Sequence, residues 1–141
     1  MIRLEKSYPA PKEVVWDHLV NDELLSAWCM PTKGFALEKG QDFIFETKSS
    51  VFFGGTFYNS VLDFSEGKFL LYRCAATKPE LETIVKWVLT EENSETKLML
   101  EHSGFKKLQW LTKMALAAGW KRMMNEHLYD KLTKTTPPSE V

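Results

Sequence analysis

The stretch "ETIVKWVLTEENSETKLMLEH", residues 82–102, decides the fold. Apolar and polar residues alternate on both sides of the polar segment EENSE, which is the period of a strand with one buried face. A short polar break between two such runs predicts an antiparallel hairpin. Parity then sorts the side chains. Val85, Trp87 and Leu89 share one face, with Lys86 and Thr90 on the other; in the second strand Leu98, Leu100 and His102 oppose Lys97 and Glu101.

Toward the N-terminus the same pattern recurs. "GTFYNSVLDFSEGKFLLYRCA" (55–75) predicts two strands turning at SEGK, and "GFALEKGQDFIFETK" (34–48) two more turning at EKGQ. "FFGGTF" (52–57) reads as a bulge or twist within a strand, not as a phosphate-binding loop. "IRLEKSY" (2–8) is a first strand closed by Pro9 and Pro11. That makes seven strands, joined mostly by short turns and hence antiparallel. Between the first and second, "PKEVVWDHL" and "NDELLSAWCMP" predict two short helices, the second capped by Asn21 or Asp22 and ended by Pro31. Neither is long enough to stand alone, so both must pack on the sheet.

Toward the C-terminus, "LQWLTKMALAAGWKRMMNEHLYDKL" (108–132) predicts one long helix with an apolar stripe of Met114, Ala117, Trp120, Met124, Leu128 and Leu132. Gly119 costs that helix about 0.5–1 kcal/mol relative to alanine. Close approach to a neighbouring surface is the expected compensation, a kink the alternative. The sheet needs a cover for its apolar face, and only this helix is long enough to provide it. The order strand, two short helices, six strands, long helix is that of an α+β helix-grip fold: a curved seven-stranded antiparallel sheet wrapped around a C-terminal helix. Residues 1–134 are expected to form a single domain and 135–141 a polar tail.

Composition narrows the function classes. With 44% hydrophobic and 26% charged residues, the chain reads as a soluble globular protein. A net charge of -1 gives no electrostatic reason to expect nucleic acid or an anionic membrane. The charged start "MIRLEKSYPAP" is not a signal peptide, and no apolar run is long enough to span a bilayer, so a cytoplasmic location without membrane insertion is expected. Cys29 and Cys74 lack metal or redox spacing and are expected as buried free thiols. His18, His102 and His127 show no HxH or HExxH spacing, so no metal site or cofactor is expected.

Three segments carry a family resemblance: "PKEVVWDHLVNDELLSAW", "TIVKWVLTEENSETKLMLEHSGF" and "GWKRMMNEHLYDKL". Together they resemble the START-like, birch-pollen-allergen-like (SRPBCC) superfamily, and within it the activator of heat-shock-protein-90 ATPase homologue-like family. The resemblance covers nearly the whole chain and implies the helix-grip fold. It leaves function open, because that superfamily hosts lipid carriers, cyclases, stress proteins and co-chaperone domains.

The leading reading is binding of a small hydrophobic or amphipathic molecule in a cavity between sheet and C-terminal helix. Trp28, Phe43, Phe45, Tyr58, Tyr72, Trp87, Leu100, His102, Trp120 and Met124 are the candidate lining. Tyr58 and Tyr72 would offer hydroxyls to a polar head group, or else form a cross-strand aromatic pair. His102 would orient a polar group, but with no nucleophile or carboxylate at catalytic spacing it reads as a structural histidine bonded to a carbonyl or hydroxyl. The second reading, implied by the resemblance, is a co-chaperone-type domain with a chaperone or other protein partner, meeting acidic groups through Lys106, Lys107, Lys121 and Arg122. The third is a cyclase- or hydrolase-like enzyme. It needs Glu46, Asp63 or Glu101 turned inward with a raised pKa, or a reactive His102. No catalytic set is assigned.

Overall fold

A computed structural model describes residues 1–46, 55–77 and 80–133. The tail 135–141, Thr47 and Lys48, and residues 52–54 of the FFGGTF stretch lie outside them. The strands are β1 (Ile2–Tyr8), β2 (Thr32–Lys33), β3 (Asp42–Glu46), β4 (Thr56–Ser65), β5 (Phe69–Thr77), β6 (Glu80–Glu92) and β7 (Glu95–Ser103). They form one curled sheet in the order β1-β7-β6-β5-β4-β3-β2. Every pairing is antiparallel, and the first strand closes against the last, Ile2 opposite His102 and Tyr8 opposite Thr96.

The deciding hairpin folds as its parity requires. Trp87 lies opposite Leu100 and Leu89 opposite Leu98, all four buried. Its turn is tighter than the polar EENSE suggests. Only Asn93 and Ser94 turn, both at positive φ (51° and 69°), the two-residue connection whose twist matches that of the strands.

Three sequence expectations fail locally. The second strand is Thr32–Lys33, paired with Phe45 and Ile44, and does not fall within 34–37. Gly34 adopts φ +86°, and the Asp22 carboxylate accepts from the backbone N–H of Gly34 (3.2 Å) and Phe35 (3.0 Å). Donors that a continuing strand would give to a neighbour are thereby diverted. This also settles the helix cap: in α2 (Asp22–Trp28) Asn21 Oδ1 accepts from Leu24 N, which frees Asp22 to hold the loop. The preceding helix, α1 (Lys12–Asp17), buries Val15 and Trp16.

The long helix departs from its expected stripe. It runs as a 3₁₀ turn (Lys107–Gln109), α3 (Trp110–Arg122), a π segment (Met123–Leu128) and α4 (Tyr129–Thr133). Trp120, Met124, Leu128 and Leu132 are buried, but Met114 points to solvent. Residues spaced by four drift about 40° per step around an α-helix. The wider i→i+5 turn of the π segment takes that drift back and keeps all four on the sheet. Gly119 is not a point of close approach: a Cβ built there would meet nothing within 4 Å.

Candidate functional site

Between sheet and helix lies a cluster of aromatic rings. Tyr72 on β5, Trp87 on β6 and Leu100 on β7 project from adjacent strands, Leu70 facing Trp87 and Trp87 facing Leu100. The Trp87 ring is central. It stands edge-on to Trp28 of α2 (centroids 6.0 Å) and to Trp120 of α3 (5.4 Å), and its Nε1–H donates to the Tyr72 hydroxyl at 3.1 Å. Tyr72 continues the stack to Phe43 (5.2 Å) and Phe45 (6.2 Å). Edge-to-face pairs of this kind contribute about 0.5–1.5 kcal/mol each beyond area burial. Nine of the ten residues predicted as lining are therefore gathered and buried, and they touch one another.

Tyr58 is the exception. Phe57, Asn59 and Val61 take the inward positions of β4, so Tyr58 is 50% exposed on the other face and lies opposite Ala75, not Tyr72. The parity of β4 changes only beyond it, at a bulge between Val61 and Asp63.

His102 sits in a closed relay. Trp120 Nε1–H donates to His102 Nδ1 at 3.0 Å, and an indole nitrogen can only donate, so the ring proton is on Nε2. Nε2–H then donates to Thr83 Oγ1 at 2.8 Å, and the Thr83 hydroxyl donates to the Cys74 carbonyl at 2.7 Å. Burial pushes the imidazole down to about 4. Both nitrogens are occupied and the ring is neutral near pH 7, so it has no lone pair to offer a substrate. Its role is to tie helix, β7, β6 and β5 together.

The carboxylates required by an enzyme reading lie outside this cluster. Glu46 pairs with Lys33 (3.6 Å), Asp63 with Lys39 (3.3 Å) and Glu101 with Arg3 (3.8 Å) at the surface. Lys39 and the backbone N–H of Phe64 hold Asp63 below its ordinary value, with the Phe64 bond the larger effect. Both thiols are free, Cys74 buried and Cys29 half-buried. Burial raises both, Cys74 to about 12, which removes them as nucleophiles at neutral pH.

One polar side chain in the interior is unmatched. Asn59, on the inward face of β4 between Phe43 and Cys74, is 3% exposed, and neither its Oδ1 nor its Nδ2 finds a partner among the described residues. It is a diagonal neighbour of Tyr72, roughly 7–8 Å away across the strands. Sequence reading passed over it, and over Thr83. The available signal was the same for both: a polar residue at an inward parity position of an apolar strand.

Three clefts open on the surface of the described residues. One of about 430 Å³ lies between α2 and the end of the long helix, lined by Ala27, His127, Asp130 and Lys131. A second of about 330 Å³ involves Lys12, Trp16 and Glu66, and a third of about 200 Å³ involves Leu62, Arg73 and Ile84 on the outer sheet face. None is lined by the nine gathered residues. No helix of the described residues is long and apolar enough to cross a membrane.

A curled antiparallel sheet closed on a C-terminal helix, with aromatic rings between them, defines a helix-grip protein of the SRPBCC type. More narrowly, residues 9–133 match the model of the family described as activator of Hsp90 ATPase homolog 1-like protein, and the chain belongs to that family. Among solved structures, protein MLL2253 from Mesorhizobium loti is 26% identical, with a TM-score of 0.85 over 96% of this chain and 98% of that one. Protein BH1534 from Bacillus halodurans is 24% identical, with a TM-score of 0.76 over 93% and 95%. The Aha1 dimer from Colwellia psychrerythraea shares the fold at 18% identity, with a TM-score of 0.76 over 93% and 94%. No curated protein matches the chain.

Proposed function

We propose that the protein binds a small amphipathic molecule between β3–β5 and the helices, with Asn59 as the polar recognition group. The buried, unpartnered Asn59 amide carries this reading. A buried amide without hydrogen bonds costs about 1–3 kcal/mol in proteins, a cost that a ligand with a carbonyl or hydroxyl would relieve. Phe43, Phe45 and Tyr72 beside it would supply apolar contact. Because Trp28, Trp87 and Trp120 already fill the space beneath the helix, the ligand would sit toward β3 and β4. A co-chaperone-type contact would use the outer surface, and nothing in the interior argues for it.

The test is Asn59→Val with a thermal-shift screen of fatty acids, sterol-like compounds and polyketide-like aromatics. The expected outcome is a free protein stabilised by about 1–2 kcal/mol, since a buried polar group is removed, together with loss of any ligand-induced shift seen in the wild type. A variant that is less stable than the wild type, or that keeps the full ligand shift, would reject Asn59 as the recognition group.

A further inference from the structure

The first half of the long helix is apolar on both sides. Leu116, Ala117 and Trp120 turn toward the sheet, whereas Trp110, Leu111 and Met114, one turn apart, are 58%, 55% and 60% exposed. Leu108 in the preceding 3₁₀ turn is 94% exposed. Core packing explains the first set and not the second. Charge is segregated in the same place. From Ser103 to Asn125 the chain carries Lys106, Lys107, Lys113, Lys121 and Arg122 and no Asp or Glu, in a protein whose net charge is -1. Lys106 and Lys107 precede the Trp110–Leu111–Met114 row and Lys121 follows it on the same side of the helix, all exposed, so lysines stand at both ends of the apolar row, while Arg122 pairs with Glu126 at 3.7 Å.

We infer that this face docks peripherally on an anionic lipid bilayer, with Leu108, Trp110, Leu111 and Met114 entering the boundary between headgroups and acyl chains and the lysines pairing with lipid phosphates. Shape favours a bilayer over a peptide. Leu108 stands almost wholly free, and Trp110, Leu111 and Met114 are each more than half exposed, so the surface presents protruding apolar side chains, and none of the three clefts described above is lined by them. Charge disfavours a second copy, since pairing like faces would bring the cations together. An exposed Trp beside Leu and Lys is the composition that suits the membrane interface, where the indole keeps its N–H wet while its ring is buried. Net charge gave no reason to expect an anionic membrane because it averages this segregation away, and peripheral docking needs no membrane-spanning run.

The chain carries its own reporter. Trp16, Trp28, Trp87 and Trp120 are buried, leaving Trp110 as the exposed tryptophan among the five. The full-length protein is mixed with vesicles of phosphatidylcholine alone or of phosphatidylcholine with phosphatidylglycerol. Expected are co-sedimentation with the anionic vesicles, a blue shift of emission and loss of iodide quenching, the optical changes vanishing in Trp110→Phe. Lys106→Glu with Lys107→Glu should lower partitioning by at least about tenfold, and added salt should do the same. Leu108→Ser with Leu111→Ser should abolish binding while leaving the melting temperature unchanged, because both residues are exposed. Equal binding to neutral vesicles, no binding to anionic ones, or binding unaffected by these variants would overturn the inference. Self-association abolished by Leu111→Ser, or capture of an acidic protein at this face, in the absence of vesicle binding would overturn it in favour of a protein partner.

Discussion

Trp120 Nε1–H donates to His102 Nδ1 at 3.0 Å, and this bond joins the long helix to the last strand at the floor of the aromatic cluster. It exists only while His102 is neutral. Burial lowers the imidazole from its ordinary 6.5 to about 4, so between those values the unfolded chain binds a proton that the folded one refuses. Stability from this group is therefore complete above about pH 6.5 and is lost as pH falls toward 4. The shift corresponds to about 3 kcal/mol, or a melting temperature lower by roughly 10 °C at pH 4 than at pH 7. His102→Gln, which keeps a donor and an acceptor but does not titrate, should flatten this part of the profile. An unchanged slope in the variant would assign the acid limb to other groups.

Trp87→Ala tests whether the aromatic cluster is core. The Trp87 ring is wedged between Trp28 and Trp120 and donates to Tyr72, so its loss should cost about 3–5 kcal/mol by denaturant titration. A loss under about 1 kcal/mol would mean that the surrounding rings collapse freely, as expected of a ligand chamber and not of a core.

Gly119 and Gly104 should respond in opposite directions to alanine. Gly119 lies in helix with open space around its Cβ position, so Gly119→Ala should stabilise by about 0.5–1 kcal/mol. Gly104 sits at φ +102°, and its Cβ would come within 3.1 Å of the Glu82 carbonyl and 3.2 Å of Thr83 Cα. Gly104→Ala should destabilise by more than about 1 kcal/mol and disturb the Thr83–His102 bond beside it. Equal effects at the two sites, read as melting temperatures, would refute this distinction.

The long-range architecture was legible because period-two and helical patterns each act over many residues. Parity alone placed Phe43, Phe45, Tyr72, Trp87, Leu100 and His102 inward. It failed at Tyr58, where the inward register is set by Phe57, Asn59 and Val61, and at the second strand, where a distant Asp22 carboxylate claims the backbone donors. Periodicity also predicted Met114 as buried, because a pattern cannot tell which end of a helix overhangs the sheet. Asn59 was legible in principle, but the absence of a partner for a polar side chain appears only when its surroundings are assembled.

Tyr8 tests what holds the π segment. Its hydroxyl donates to the Met124 carbonyl at 2.8 Å, within Met123–Leu128, and burial raises the phenol well above its ordinary value, so it stays a donor at any working pH. A side chain bonding into a helical ladder is one of the recognised causes of local irregularity. Tyr8→Phe keeps the ring against Tyr129 and removes only the donor. The expected cost is about 0.5–1.5 kcal/mol, with amide exchange faster in residues 123–129 and unchanged in β6 and β7. If exchange accelerates evenly across the protein, the bond serves global stability and the π segment is held by the four-residue spacing of Trp120, Met124, Leu128 and Leu132 alone.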